Sequence, residues 1–168
     1  MKTVANLRIG LDIDQVLADF NGHYLKRFGK WPSKDWAITR NVNHILKNEK
    51  AFWLTLPVLN RPNFKPHLYC SSRVNKKVWT KTYLNNNNFP NSRLYQVNGY
   101  GISKYPVLKE RVDVFIDDSI FNFEDLNNKG ILCLLMTTEE NKDYDAKGKR
   151  INTLDIEQIT NLYETFRN

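Results

Sequence analysis

The chain has 168 residues, 41% of them hydrophobic and 12% aromatic, and a formal net charge of +7. This length and composition support one packed domain with a small elaboration and exclude a disordered chain. No apolar run approaches the roughly 20 residues that span a bilayer, and the charged residues 1–15 do not resemble a secretory leader.

Cys70 and Cys133 sit in apolar runs without zinc-type spacing, so buried free thiols in a reducing cytoplasm are expected. The positive charge suits an anionic substrate and also suits nucleic acid. Its carriers are scattered (Lys26-Arg27, Lys76-Lys77, Lys109 with Arg111, Lys147 with Lys149-Arg150), and such groups read chiefly as solvated helix faces.

In chain order, residues 7–12 predict a short strand that runs into Asp12 and Asp14, two carboxylates one residue apart. Residues 16–28 follow with helical spacing. The stretch 21–64 then breaks the alternation of strand and helix. It holds Trp31, Trp36 and Trp53, helical patterning over 35–48, and prolines at 32, 57 and 62. A segment that leaves after one strand and returns before the next predicts a small, mainly helical cap, with 1–20 and 65–168 as the core. Residues 65–70 lead into Ser71 as a second strand, and Pro66 is tolerable at its start. Residues 93–97, 112–116 and 131–136 supply three more strands, separated by helical patterns over 74–87, 103–110, 121–128 and 155–167. The expected fold is therefore α/β: a Rossmann-like parallel sheet with helices on both faces and a small helical cap inserted after the first strand.

In such sheets ligands bind beyond the carboxyl ends of the strands. Asp12, Ser71 and Asp117 all fall there, although they are far apart in sequence. Asp12 is the candidate nucleophile toward phosphorus, and Asp14 the candidate acid and base for the leaving oxygen and for water. A carboxylate attacks a phosphate dianion only when the charge repulsion is removed, which a shared magnesium ion would do. Asp117-Asp118 follows an apolar run and predicts metal binding, because adjacent carboxylates repel unless a cation or good donors lie between them. The alternative is that Asp118 or Ser119 caps the next helix. Ser71 and Ser72 end the second strand where a hydroxyl and following N–H groups can hold a phosphoryl oxygen. Lys104, 14 positions before Asp118, is the candidate to neutralise phosphate.

Asp12-Ile13-Asp14-Gln15-Val16-Leu17, Ser71, Lys104 and Asp117-Asp118 resemble the four ordered motifs of the haloacid dehalogenase superfamily of phosphohydrolases, over residues 7 to about 136. Within it, Val16-Leu17-Ala18-Asp19-Phe20, Phe52-Trp53-Leu54-Thr55-Leu56-Pro57 and Cys70-Ser71-Ser72 are similar to the 5'(3')-deoxyribonucleotidases. The resemblance implies Asp12 as nucleophile, Asp14 as acid/base, and magnesium on the Asp12 side chain, the Asp14 carbonyl and chiefly Asp118, with Asp117 supporting. It also implies that Phe20 lines a nucleoside pocket, with Phe52 and Trp53 as further candidates, and that Ser71 and Ser72 bind phosphate. Two positions depart from the pattern. Gln15 stands where glycine is usual, and Arg73, where proline is frequent, either reaches the substrate phosphate or points to solvent.

The expected activity is a magnesium-dependent phosphatase acting on (deoxy)ribonucleoside monophosphates through an aspartyl-phosphate. The alternative is a phosphatase of nucleic-acid ends or of another small phosphate ester. The expected partner is a small nucleotide, with no membrane partner; nucleic acid is the lesser alternative, since a cap closing over the site argues against a polymer. Base, sugar, 5' or 3' position and oligomeric state are left open.

Overall fold

The computed structural model describes residues 7–167. The expected core segments extend past these bounds, and residues 1–6 and 168 lie outside the described residues.

Ile9, Gly10 and Leu11 form strand β1 (Ile9–Leu11), the innermost element of a six-stranded sheet. It is flanked by β2 (Leu68–Ser71) and β4 (Val114–Asp117). Beyond these lie β3 (Arg93–Gln96), β5 (Leu132–Met136) and β6 (Arg150–Ile151). The order is β3-β2-β1-β4-β5-β6, and every pairing is parallel. Strands β1, β2 and β4 are buried throughout, as a sheet covered on both faces requires, whereas the edge strand β3 is partly exposed. Gly10 is needed where β1 is most crowded. A Cβ there would sit 2.8 Å from Phe115 Cδ2 and 3.0 Å from Val112 Cγ1.

Helices α4 (Lys77–Asn86), α5 (Tyr105–Leu108), α6 (Ile120–Asn128) and α7 (Ile156–Phe166) return the chain between or after the strands. The α/β architecture expected from the sequence is thus the one found. Strand order runs outward from β1 in both directions, so the switch point lies between β1 and β4, where an open parallel sheet has its binding crevice.

Between β1 and β2 come α1 (Phe20–Phe28), a 3-10 turn (Pro32–Lys34), α2 (Ile38–Asn48) and α3 (Lys50–Leu54). These form the cap, and its apolar side is continuous with the core. Phe52, Trp53, Val42 and Ile45 belong to one buried cluster with Ile9, Leu11, Tyr69 and Ile116. A buried polar knot fixes the entry to α2. Tyr24 Oη donates to Asp35 Oδ2 at 2.7 Å, Asn41 Nδ2 donates to both, and Asp35 Oδ1 accepts from the Ala37 N–H.

Residues 16–18, expected to open a helix, instead form a flap. Gln15 adopts a left-handed φ of 61°. Leu17 and Ala18 N–H donate to the Ile13 carbonyl, and Ala18 makes an antiparallel bridge to Val58. The helix starts only at Phe20, where the Asp19 carboxylate caps it by accepting from the Gly22 N–H. Strand β6 and helix α3 were not expected. Two residues, one of them Arg150, give no strand periodicity, and five residues give hardly more than one helical turn.

Candidate active site

Register brings the carboxylates together. Leu11 pairs with Ile116, and the Asp12 N–H donates to the Ile116 carbonyl at 2.9 Å, so Asp12 leaves the sheet beside Asp117. Asp12, Asp117 and Asp118 place carboxylate oxygens within 4.8 Å of one another. Lys104, fully buried, bridges two of them, with Nζ 2.8 Å from Asp12 Oδ1 and 2.7 Å from Asp117 Oδ2.

Asp117 is already well supplied with donors. Its Oδ1 accepts from the Ser119 N–H, and its Oδ2 accepts from Asn122 Nδ2 as well as Lys104. Ser119, rather than Asp118, caps α6 by accepting from the Asn122 N–H. The Asp118 carboxylate therefore remains without an ion-pair partner among the described residues. Its backbone is held from the far side, where Asn141 Nδ2 donates to the Asp118 carbonyl.

Arg73 does not point to solvent. It is buried, and it grips both oxygens of Asp14, with Nε–Oδ2 at 2.9 Å and Nη2–Oδ1 at 2.6 Å. Thr80 Oγ1 accepts from its Nη1, and the cap side chain Trp53 lies against the guanidinium, 4.6 Å from ring centroid to Cζ. Gln15 makes a polar contact of its own: its Oε1 accepts from the Asn21 N–H and ties the flap to α1.

Charges in this site are out of balance. Asp12, Asp14, Asp117 and Asp118 face two cations, Lys104 and Arg73. Burial pushes the Asp12 carboxyl up, Lys104 draws it back and Asp117 adds repulsion, leaving it at about 7. Burial and the neighbouring Asp117 and Asp12 push the Asp118 carboxyl well above the ordinary range. Burial works against the Lys104 ammonium, but Asp117 and Asp12 outweigh it and keep the group charged. A crowded set of oxygen donors with surplus negative charge fits a hard divalent cation. Asp12 and Asp118 are the side chains with capacity to hold one, while Asp117 is committed to Lys104. The buried thiols take no part in this chemistry, since burial pushes Cys70 up to about 12 and Cys133 also upward.

Over the carboxylates opens a cavity of about 600 Å³. Of the residues expected at the site, Asp12, Asp14, Phe20, Ser72 and Asp118 line it. Lys104, Asp117 and Arg73 lie directly behind that lining. Ser71 is buried and turned inward, its Oγ accepting from the Arg73 N–H at 3.1 Å. Phe52 and Trp53 are not brought to the cavity. Trp53 stacks on Phe20 at 5.8 Å and Phe52 meets it edge-on at 6.0 Å, so both back the wall that Phe20 presents.

The cavity also takes in residues that sequence reasoning missed, chiefly Ile38, Val42 and Asn43 of α2 and Tyr100 of the loop after β3. An available signal for Tyr100 was its setting between Gly99 and Gly101, just before Lys104 and beyond the end of a strand.

No protein-family model matches the chain, and neither does any curated protein. Fold and geometry alone define the class: a Rossmann-like α/β protein with an acidic, lysine-bridged crevice at its switch point.

Proposed function

We propose that the chain is a magnesium-dependent phosphatase of the haloacid dehalogenase type, hydrolysing (deoxy)ribonucleoside monophosphates through an aspartyl-phosphate on Asp12. The observation that carries this reading is the Asp12 carboxylate, lining the cavity and held by Lys104 beside Asp118, which has no ion-pair partner among the described residues. Magnesium, held by Asp12 and Asp118, would offset negative charge shared by the nucleophile and the phosphate.

The protein's own groups account for the rest. Asp12 attacks phosphorus, and the bond from phosphorus to the ester oxygen breaks as Asp14 gives that oxygen a proton. Asp14 then takes a proton from water, whose oxygen attacks phosphorus and breaks the bond to Asp12, releasing inorganic phosphate. Both Asp14 oxygens are occupied by Arg73, so each transfer needs one of these hydrogen bonds to open. Ser72 lies on the lining where a phosphoryl oxygen would sit. Phe20, Ile38, Val42 and Tyr100 supply an apolar wall suited to a flat base.

Cytoplasmic location belongs to the same reading, supported by the free thiols of Cys70 and Cys133. Among the described residues no helix is long and apolar enough to cross a membrane.

The test is phosphate release from a panel of deoxy- and ribonucleoside 5'- and 3'-monophosphates, with magnesium or with EDTA. Magnesium-dependent release from at least one nucleotide is expected. Turnover that persists in EDTA, or no release from any member, would reject the reading.

A further inference from the structure

Net charge is concentrated in one part of the chain. Residues 21–64 hold eight Lys or Arg against two Asp or Glu, six of the seven net positive charges of the molecule. The few acids there are spent: Asp35 is buried in the Tyr24–Asn41 knot, and Glu49 pairs with Arg27. Lys30, Lys34 and Arg40 are exposed and make no ion pair among the described residues.

Each of these three cations stands within two positions of a residue that lines the cavity, which places them near its rim. Pro32 and Ser33 of the 3-10 turn line it between Lys30 and Lys34. On α2, Thr39 and Asn43 line it, and Arg40 occupies the adjoining outward row. Two indoles stand among them. Trp36 is 83% exposed, with the Arg40 guanidinium over its ring at 5.6 Å, and Trp31 is 37% exposed. A tryptophan as open as Trp36 contributes little to packing.

Cations spaced along a rim, with aromatic faces between them, match a strand of phosphates and bases better than a single nucleotide, which the cavity alone would hold. We infer that the outer face of the cap, from Lys30 to Arg40, binds single-stranded nucleic acid whose terminal nucleotide enters the cavity. For what happens to that terminal phosphate, the inference rests on the phosphatase reading above. Contact with the strand does not depend on it.

Binding is measured by fluorescence anisotropy, using an internally labelled oligothymidylate without terminal phosphates, so that nothing can be hydrolysed. Three phosphate contacts on a single strand give an affinity that falls about 20-fold between 50 and 200 mM salt. Trp36→Ala should weaken binding about 5- to 150-fold, the range for loss of one stacked base, and Trp36→Phe should recover most of it. Lys34→Glu with Arg40→Glu should weaken binding and flatten the salt dependence. Mononucleotide turnover should be unchanged in all three variants.

Absent or salt-insensitive binding, or binding indifferent to these substitutions, would overturn the inference. So would equal binding to polyglutamate or to anionic phosphatidylserine vesicles. Failure of the phosphatase reading would show instead as missing turnover with oligonucleotide binding intact.

Discussion

At the residue scale, Lys104 and Arg73 decide what the carboxylates can do. Lys104 is fully buried between Asp12 and Asp117. Removing it leaves buried like charges uncompensated, so Lys104→Met should cost about 3–5 kcal/mol of stability, read from denaturant unfolding. A loss under 1 kcal/mol would mean that the bridge is dispensable. Arg73 acts through Asp14. Arg73→Lys keeps a charge and loses the two-pronged grip, so kcat should fall about 100-fold, the lower range for general acid–base help, while KM changes little. A rise in KM with kcat intact would place Arg73 on the substrate instead.

The same residues mark what could be read in advance. Asp12, Asp14 and Asp118 follow from carboxylates at strand ends, and they line the cavity. Arg73 was ambiguous because its ion-pair partner Asp14 is 59 positions away in sequence and only the fold brings the two together. Phe52 and Trp53 show the limit of pattern reading. Apolar spacing announces burial, but it does not distinguish a ring that lines a cavity from one that supports the lining.

At the element scale, the sheet positions the chemistry. Strand β1 lies between β2 and β4 because Gly10 lets the Phe115 and Val112 side chains close over it. Gly10→Ala is expected to destabilise the fold by about 1–3 kcal/mol, the usual cost of overpacking. Five of the six strands were legible from apolar runs bounded by polar turns. The flap at residues 16–18 was not, because Val16, Leu17 and Phe20 have helical spacing, while hydrogen bonds to Ile13 nearby and to Pro57 and Leu59, far along the chain, hold the segment instead.

The cap has its own pH signature. The hydrogen bond from Tyr24, together with the Ala37 N–H, holds the Asp35 carboxyl below its ordinary value. A carboxyl depressed in the folded state contributes stability above its unfolded pKa of about 4, and that stability is lost as pH falls through the lower folded value. Thermal unfolding of wild type and Asp35→Asn should therefore differ most near neutral pH and converge in acid. A constant gap down to pH 3 would contradict this role.

At the scale of the whole molecule, a basic cap faces an acidic crevice, and the two are joined through one hydrophobic cluster. Scattered lysines in the sequence concealed this, because the cap's share of the charge becomes meaningful only once its boundaries and its rim are known. The crevice crowds Asp12, Asp117 and Asp118 together, a repulsion that a divalent cation would relieve. Magnesium in excess of EDTA should raise the unfolding midpoint, since a ligand present at about 100 times its Kd adds about 2.7 kcal/mol. Asp118→Asn should remove most of that gain.

The most direct test of the central claim is acid-quenched turnover with a phosphorus-labelled nucleoside monophosphate in the presence of magnesium. The expected result is label on the protein as a hydroxylamine-sensitive acyl phosphate at Asp12, absent from Asp12→Asn together with turnover. Phosphate release that continues without labelling the chain, or that survives Asp12→Asn, would contradict it.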